Sequence, residues 1–330
     1  MRSEALMEQI RKRLSEELGE GYEVEKRTVL KNNGVEAEGF SVRKAGDVLA
    51  AVLYPGPMEK TGQDEPDQDE SSQDKNTLEV GEGYVDLCVE GMIKTYRSRE
   101  KQNDGLREMV RRMEDWEEVR SYIRPQLLSC IENQRLIPRL VHRRFLDLAV
   151  VYAARMECRL EQGTIRIEHP VFKQWGISEE ELHRQALKNL EQDGYTIQSI
   201  PEALGMAFLP GADEGAPSMA VFTNRSRFYG AAGILLSGML EEYAKKMGSN
   251  LFLIPSSVHE LILIPDDGRL PAKVLNQMVK DVNSEEVSPM DRLSGHVYYY
   301  DRKSRQVEWR NDEEWELRGL MRNEGLLGAV

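Results

Sequence analysis

Cysteine is the first scarcity: three residues in 330, Cys88, Cys130 and Cys158, widely separated and in no CxxC or Cys/His spacing. An odd, scattered set excludes a disulfide framework and a structural zinc knuckle, and it fits a reducing cytoplasm. Histidine is nearly as scarce. The five residues form no HxxxH or HExxH pair, so pairings such as His142 with Asp147 or His169 with His183 carry no ligand signature, and neither metal nor cofactor is expected. Long apolar runs are missing too. No window approaches the roughly 18 residues of a membrane span, and the first residues, MRSEALMEQIRKRL, are charged at helical spacing where a secretory signal would be apolar.

Positive charge is also in deficit. Lys and Arg number 44 against 57 acids, giving a net charge of -13 and a pI near 5.1. That balance disfavours nucleic acid and anionic membranes as partners, because both attract an excess of cationic side chains. No GxSxG elbow is present, and Gly81-Glu82-Gly83 lacks the further glycine and the lysine of a phosphate loop.

What is present reads as an α+β chain, with mixed, mainly antiparallel sheet packed against helices. Leu6, Ile10, Leu14 and Leu18 make one apolar stripe on a helix over 3–18. Two β-prone runs, 22–30 and 35–43, are joined by Lys31-Asn32-Asn33-Gly34, where Asn-Gly supplies the positive φ of a tight turn, and a third strand is expected within 47–54. These make an N-terminal unit, 1–54. Residues 55–79 are almost devoid of apolar side chains; between Pro55 and Val80 eight acids face two lysines. That composition predicts an acidic disordered insert acting as a plain linker.

A main domain is expected over 80–310, with 311–330 as a partly ordered tail. Helical spacing resumes with Val85, Cys88, Met92, Ile93 and Tyr96 and continues to Trp116 and Val119. The segment 97–144 carries twelve basic residues against eight acids, read mainly as a helix surface laced with ion pairs. Its end, Arg135, Arg139, Arg143 and Arg144, is a candidate partner or phosphate contact. Strands are predicted over 145–156 and 164–169. A helix over 178–194 opens on the Ser178/Glu181 capping box and closes at Gly194. Further elements are a strand over 219–223, one buried helix over 229–247, a hairpin over 250–266, a helix over 272–282, a short helix from Ser288-Pro289, and a hairpin over 296–310.

The segments KNNGV (31–35), RRFLDLAVVY (143–152), FTNRSRFYGAAGILL (222–236), LFLIPSSVHELILIP (251–265), MVKDVNSEEV (278–287) and HVYYYD (296–301) resemble a family of bacterial proteins of unknown function. The resemblance implies family membership and brings no activity, ligand or catalytic residue with it.

Chemistry concentrates in Pro255-Ser256-Ser257-Val258-His259-Glu260. A hydrolase would use Ser256 or Ser257 as nucleophile, His259 as base, and Glu260 or Asp147 to orient the imidazole. The plainer reading makes Pro255 and the serines the turn of a hairpin, with His259 at a sheet edge. Tyr298, Tyr300 and Trp309 form an aromatic group that could anchor a partner, although cross-strand packing is the commoner reason for such a group. The expectation is a non-catalytic cytoplasmic interaction, accessory or regulatory protein with an unidentified protein partner; the alternative is the hydrolase.

Overall fold

The computed structural model describes residues 4–47, 49–56, 82–100, 103–157, 162–203, 219–268 and 272–309. The acidic insert and the tail predicted from the sequence lie outside these, apart from Pro55 and Gly56. The class is α+β, and every strand pair is antiparallel.

Two compact units form: Met1–Leu30 with Glu36–Arg107, and Lys31–Val35 with Glu108–Val330. In the first, α1 (Glu4–Leu18), β1 (Tyr22–Leu30), β2 (Glu36–Lys44), β3 (Ala50–Leu53) and α2 (Glu82–Glu100) surround one core. The strands lie in the order β1-β2-β3. The α1 stripe of Leu6, Ile10 and Leu14 packs in the same core as Val85, Cys88, Met92 and Tyr96 of α2. The helix at 82–100 therefore joins the N-terminal unit, where the sequence had placed it in the main domain. An isolated stripe must be covered, and α2 supplies the apolar side chains that do so.

The second unit runs from α3 (Asn103–Arg112), whose first residues belong to the first unit, through α4 (Trp116–Val119) and β4 (Ile123–Ser129) to β5 (His142–Phe145), β6 (Leu148–Glu157) and β7 (Gln162–Arg166). Then come α5 (His169–Trp175), α6 (Glu179–Glu191), β8 (Tyr195–Ser199), α7 (Ile200–Ala203), β9 (Ala220–Asn224) and α8 (Ser237–Met247). The last elements are β10 (Leu251–Ser257), β11 (Glu260–Pro265), α9 (Ala272–Glu285), β12 (Tyr298–Asp301) and β13 (Gln306–Trp309). One sheet has β6 between β4 on one side and β5 and β7 on the other; the second has the order β13-β12-β10-β11-β9-β8.

Alternation along β10 explains its unbroken apolar sequence. Leu251 and Leu253 face the largest core, while Phe252 and Ile254 face a second cluster with Leu275 and Val279 of α9, so the strand is covered on both sides. Helix α6 begins as its capping residues predict, with the Ser178 hydroxyl accepting from Glu181 N–H at 3.1 Å. Leu182, Ala186 and Leu190 are buried on its inner face. Complete burial of each leucine stabilises by about 1.5–3 kcal/mol.

Three local expectations change. The predicted helix over 229–247 is a 3-10 segment, Gly230–Leu235, followed by α8, with Leu236 at ψ 89 breaking the run. Ser288-Pro289 opens a single turn and not a helix. In the hairpin β10/β11, Ser256 and Ser257 belong to the strand, and the turn is Val258-His259. No helix among the described residues is long and apolar enough to cross a membrane.

Candidate functional site

The β10/β11 turn is shaped by proline. Ile254 pairs with Ile262 and Ser257 with Glu260, so Pro255 and Ser256 together oppose Leu261. A bulge is where a strand tolerates a residue without an N–H. Beyond it every side of the turn is tied down. Val258 N–H donates to Asp291 O at 2.8 Å, Val258 O accepts from Ala231 N–H at 3.2 Å, and the Thr223 hydroxyl donates to His259 O at 2.8 Å. The Ser257 hydroxyl accepts from His259 N–H at 3.0 Å, and Ser256 is buried.

These contacts fix the chemistry of His259. Its Nδ1 accepts from Tyr229 N–H at 3.2 Å, and its Nε2 lies 3.5 Å from Asp291 Oδ1. A backbone N–H can only donate, so Nδ1 carries the lone pair and the neutral ring holds its proton on Nε2, facing Asp291. The Phe228 ring stacks on the imidazole at 5.9 Å and 28°. Asp291 is thus the carboxylate at His259; Glu260 begins β11 opposite Ser257.

Tyr229 N–H is aimed by the loop before it. Asn224 Oδ1 accepts from the Ser226 hydroxyl at 3.0 Å and from Phe228 N–H at 3.1 Å, and Asn224 Nδ2 donates to Phe228 O at 2.9 Å. Arg227 and Tyr229 both take φ 52, a left-handed conformation uncommon outside glycine. Gly230 follows because a Cβ there would lie 2.4 Å from His259 O and 2.4 Å from Thr223 Oγ1.

Asp147 holds a different histidine. Its Oδ2 accepts from the Ser294 hydroxyl at 2.8 Å and sits 3.2 Å from His296 Nδ1, and its Oδ1 accepts from the Tyr298 hydroxyl at 2.6 Å. Burial pushes the Asp147 carboxyl up, but the bonds from His296, Tyr298 and Ser294 outweigh it and hold the group below the usual carboxylate range. Burial, then the adjacent Asp147 charge, raises Tyr298 well above an ordinary phenol. Asp147 is therefore not the orienting acid of His259.

Residues 76–302 match the family model for DUF5688, described as a family of unknown function. The chain belongs to DUF5688. No curated protein and no solved structure matches it. The span that matches DUF5688 includes Tyr229, His259, Asp291, Asp147 and His296, and it excludes Lys31–Val35, the turn between β1 and β2.

That turn is nonetheless built into the second unit of this DUF5688 chain. Asn33 and Gly34 take φ 57 and 70, as Asn-Gly predicts. Asn33 N–H donates to Asn133 Oδ1 at 2.8 Å, and Asn133 Nδ2 donates to Asn33 Oδ1 at 2.7 Å. Asn33 Nδ2 donates to Pro289 O at 2.8 Å and Arg292 O at 2.7 Å. Two loops, 130–139 and 288–292, are thereby bonded to one side chain.

The other expected contact residues separate. Arg135 and Arg139 are exposed, with Arg139 3.0 Å from Glu168, and Arg144 Nε donates to Leu146 O at 2.9 Å. Arg143 pairs with Glu180. Tyr298 and Tyr300 are not surface anchors: both are 0% exposed, because β12 lies inside the six-stranded sheet and both face the largest core. Trp309 ends β13 opposite Tyr298. Among the described residues no group of three or more His, Cys, Asp or Glu is arranged to hold a metal ion. Asp291, Ser294, His296 and Tyr229 were not singled out from the sequence, although HVYYYD and FTNRSRFYG contain two of them.

Proposed function

We propose that the chain is a non-catalytic interaction or regulatory protein of the cytoplasm that docks a protein partner. The observation that carries this reading is the state of His259. Both ring nitrogens face partners, Tyr229 N–H and Asp291, and the Ser257 hydroxyl oxygen accepts from the His259 backbone N–H, not from its ring. A nucleophile needs a base with its lone pair within reach, and here that lone pair is occupied. The surface supports docking. The two loops bonded to Asn33 carry Ile131, 62% exposed, and Met290, 41% exposed, and the first also carries the exposed Arg135 and Arg139. Loops held rigid by such bonds lose little entropy on binding.

The competing hydrolase reading requires Nδ1 of His259 to exchange the Tyr229 N–H for the hydroxyl of Ser256 or Ser257, with Asp291 kept at Nε2. The test replaces Ile131 and Met290 separately by Asp. Loss of a co-purifying partner with an unchanged melting temperature is expected, together with no turnover by wild-type protein on ester and phosphoester panels. Turnover that disappears in Ser257→Ala or His259→Ala contradicts the proposal.

A further inference from the structure

We propose that Arg166 and Tyr229 form a binding site for an oxyanion, the shared chemistry of a carboxylate and a phosphate. Pairing of Ala153 with Arg124 on one side and Arg166 on the other puts both arginines on one face of the β4/β6/β7 sheet. Arg155, two residues along β6, shares that face. Asp193 serves two of the three guanidiniums: it accepts from Arg124 Nε at 2.9 Å and Arg155 Nη1 at 3.3 Å.

Arg166 has no such partner. It enters no ion pair among the described residues, and its hydrogen bonds go to neutral atoms: Nη2 to Asn32 Oδ1 at 2.6 Å and to the Tyr229 hydroxyl at 3.4 Å, and Nε to Gln126 Oε1 at 3.3 Å. Gln126 and Asn32 are buried, so a half-buried cation is oriented by amide oxygens while its charge stays uncompensated. These bonds use Nε and Nη2 and leave Nη1 without a described partner.

Tyr229 supplies the second donor. Its hydroxyl accepts from Arg166 and keeps its own proton to give. The ring is fixed by a left-handed backbone, by Phe228 at 4.8 Å and 77°, and by His259 at 5.6 Å. Strained residues held this way gather at ligand sites. A fixed guanidinium edge beside a phenol O–H offers donors only, with one positive charge, which suits an oxyanion.

The test titrates the full chain with sodium acetate, inorganic phosphate and sodium chloride at equal ionic strength. It follows the Arg166 Nε–H and Tyr229 resonances by NMR. Saturable shifts at these two residues with acetate or phosphate, and none with chloride, are expected; the anion that saturates distinguishes carboxylate from phosphate. Arg166→Gln should weaken that binding at least about tenfold, the loss of a charged hydrogen bond, and Tyr229→Phe about two- to tenfold. Should Arg166→Gln fail to fold, Tyr229→Phe and the wild-type shift map decide alone. Shifts no larger than with chloride, shifts centred elsewhere, or affinity unchanged in the variants overturn the proposal.

Discussion

Replacing Asn33 by Ala removes three side-chain hydrogen bonds: two from Asn33 Nδ2, to Pro289 O and Arg292 O, and the one that Asn33 Oδ1 accepts from Asn133 Nδ2. At roughly 1 kcal/mol each, about 3 kcal/mol is lost. Asn133 is only 1% exposed, so its amide has no water to turn to. Ala must also hold φ 57, but Asn33 already carries a Cβ there, so that strain largely cancels and the total stays at about 3 kcal/mol. Asn33→Gly loses the same bonds but relieves the strain, and should be milder by about 1 kcal/mol. Urea denaturation followed by tryptophan fluorescence reads this directly, because Trp116 and Trp175 are buried in the core of the second unit. A double-mutant cycle with Asn133→Ala should return a coupling of about 1–2 kcal/mol. An Asn33→Ala loss below about 1 kcal/mol, or a Gly variant no better than Ala, refutes the reasoning.

Two further outcomes follow from the site. Asp147 has a depressed folded pKa, so its contribution is present above the ordinary aspartate value of about 3.9 and disappears as pH falls through the lower folded value. Asp147→Asn should therefore flatten the acid limb of a stability profile measured from neutral pH downward, and an unchanged limb counts against the Ser294/His296/Tyr298 cluster. Gly230→Ala should destabilise by about 1–3 kcal/mol in the same urea assay, since its Cβ meets His259 O and Thr223 Oγ1 at 2.4 Å, and a neutral substitution would mean the turn is looser than its bonds imply.

Local signals were legible wherever one residue type has one conformational use. Asn33-Gly34 announced a left-handed turn, Ser178 capped α6, Gly248 closed α8 at φ 69, and the apolar runs of β10 and β11 paired as expected. Strand β4 was hidden in a charged run read as helix surface, and it contains Pro125. It lies at the end of its sheet order, where a missing N–H is tolerated. The break at Leu236 was equally hidden, because an apolar run has the same composition whether helical or 3-10; close approach at Gly233, whose Cβ would lie 2.3 Å from the Tyr195 ring, shapes it. The site pairs were least legible. Asp147 and His296 are 149 residues apart, and no short-range pattern links them. The sequence set Asp147 beside His259 as a candidate, and folding gave each a different partner.

The tautomer of His259 bears most directly on whether the Val258-His259 turn and the two serines before it are structural. A long-range nitrogen–proton correlation spectrum of the full chain at neutral pH separates a protonated ring nitrogen from one bearing a lone pair. The structure predicts an unprotonated Nδ1, receiving Tyr229 N–H, and a proton on Nε2 toward Asp291. A proton on Nδ1 with an unprotonated Nε2 would contradict the account and return His259 to the role of a base.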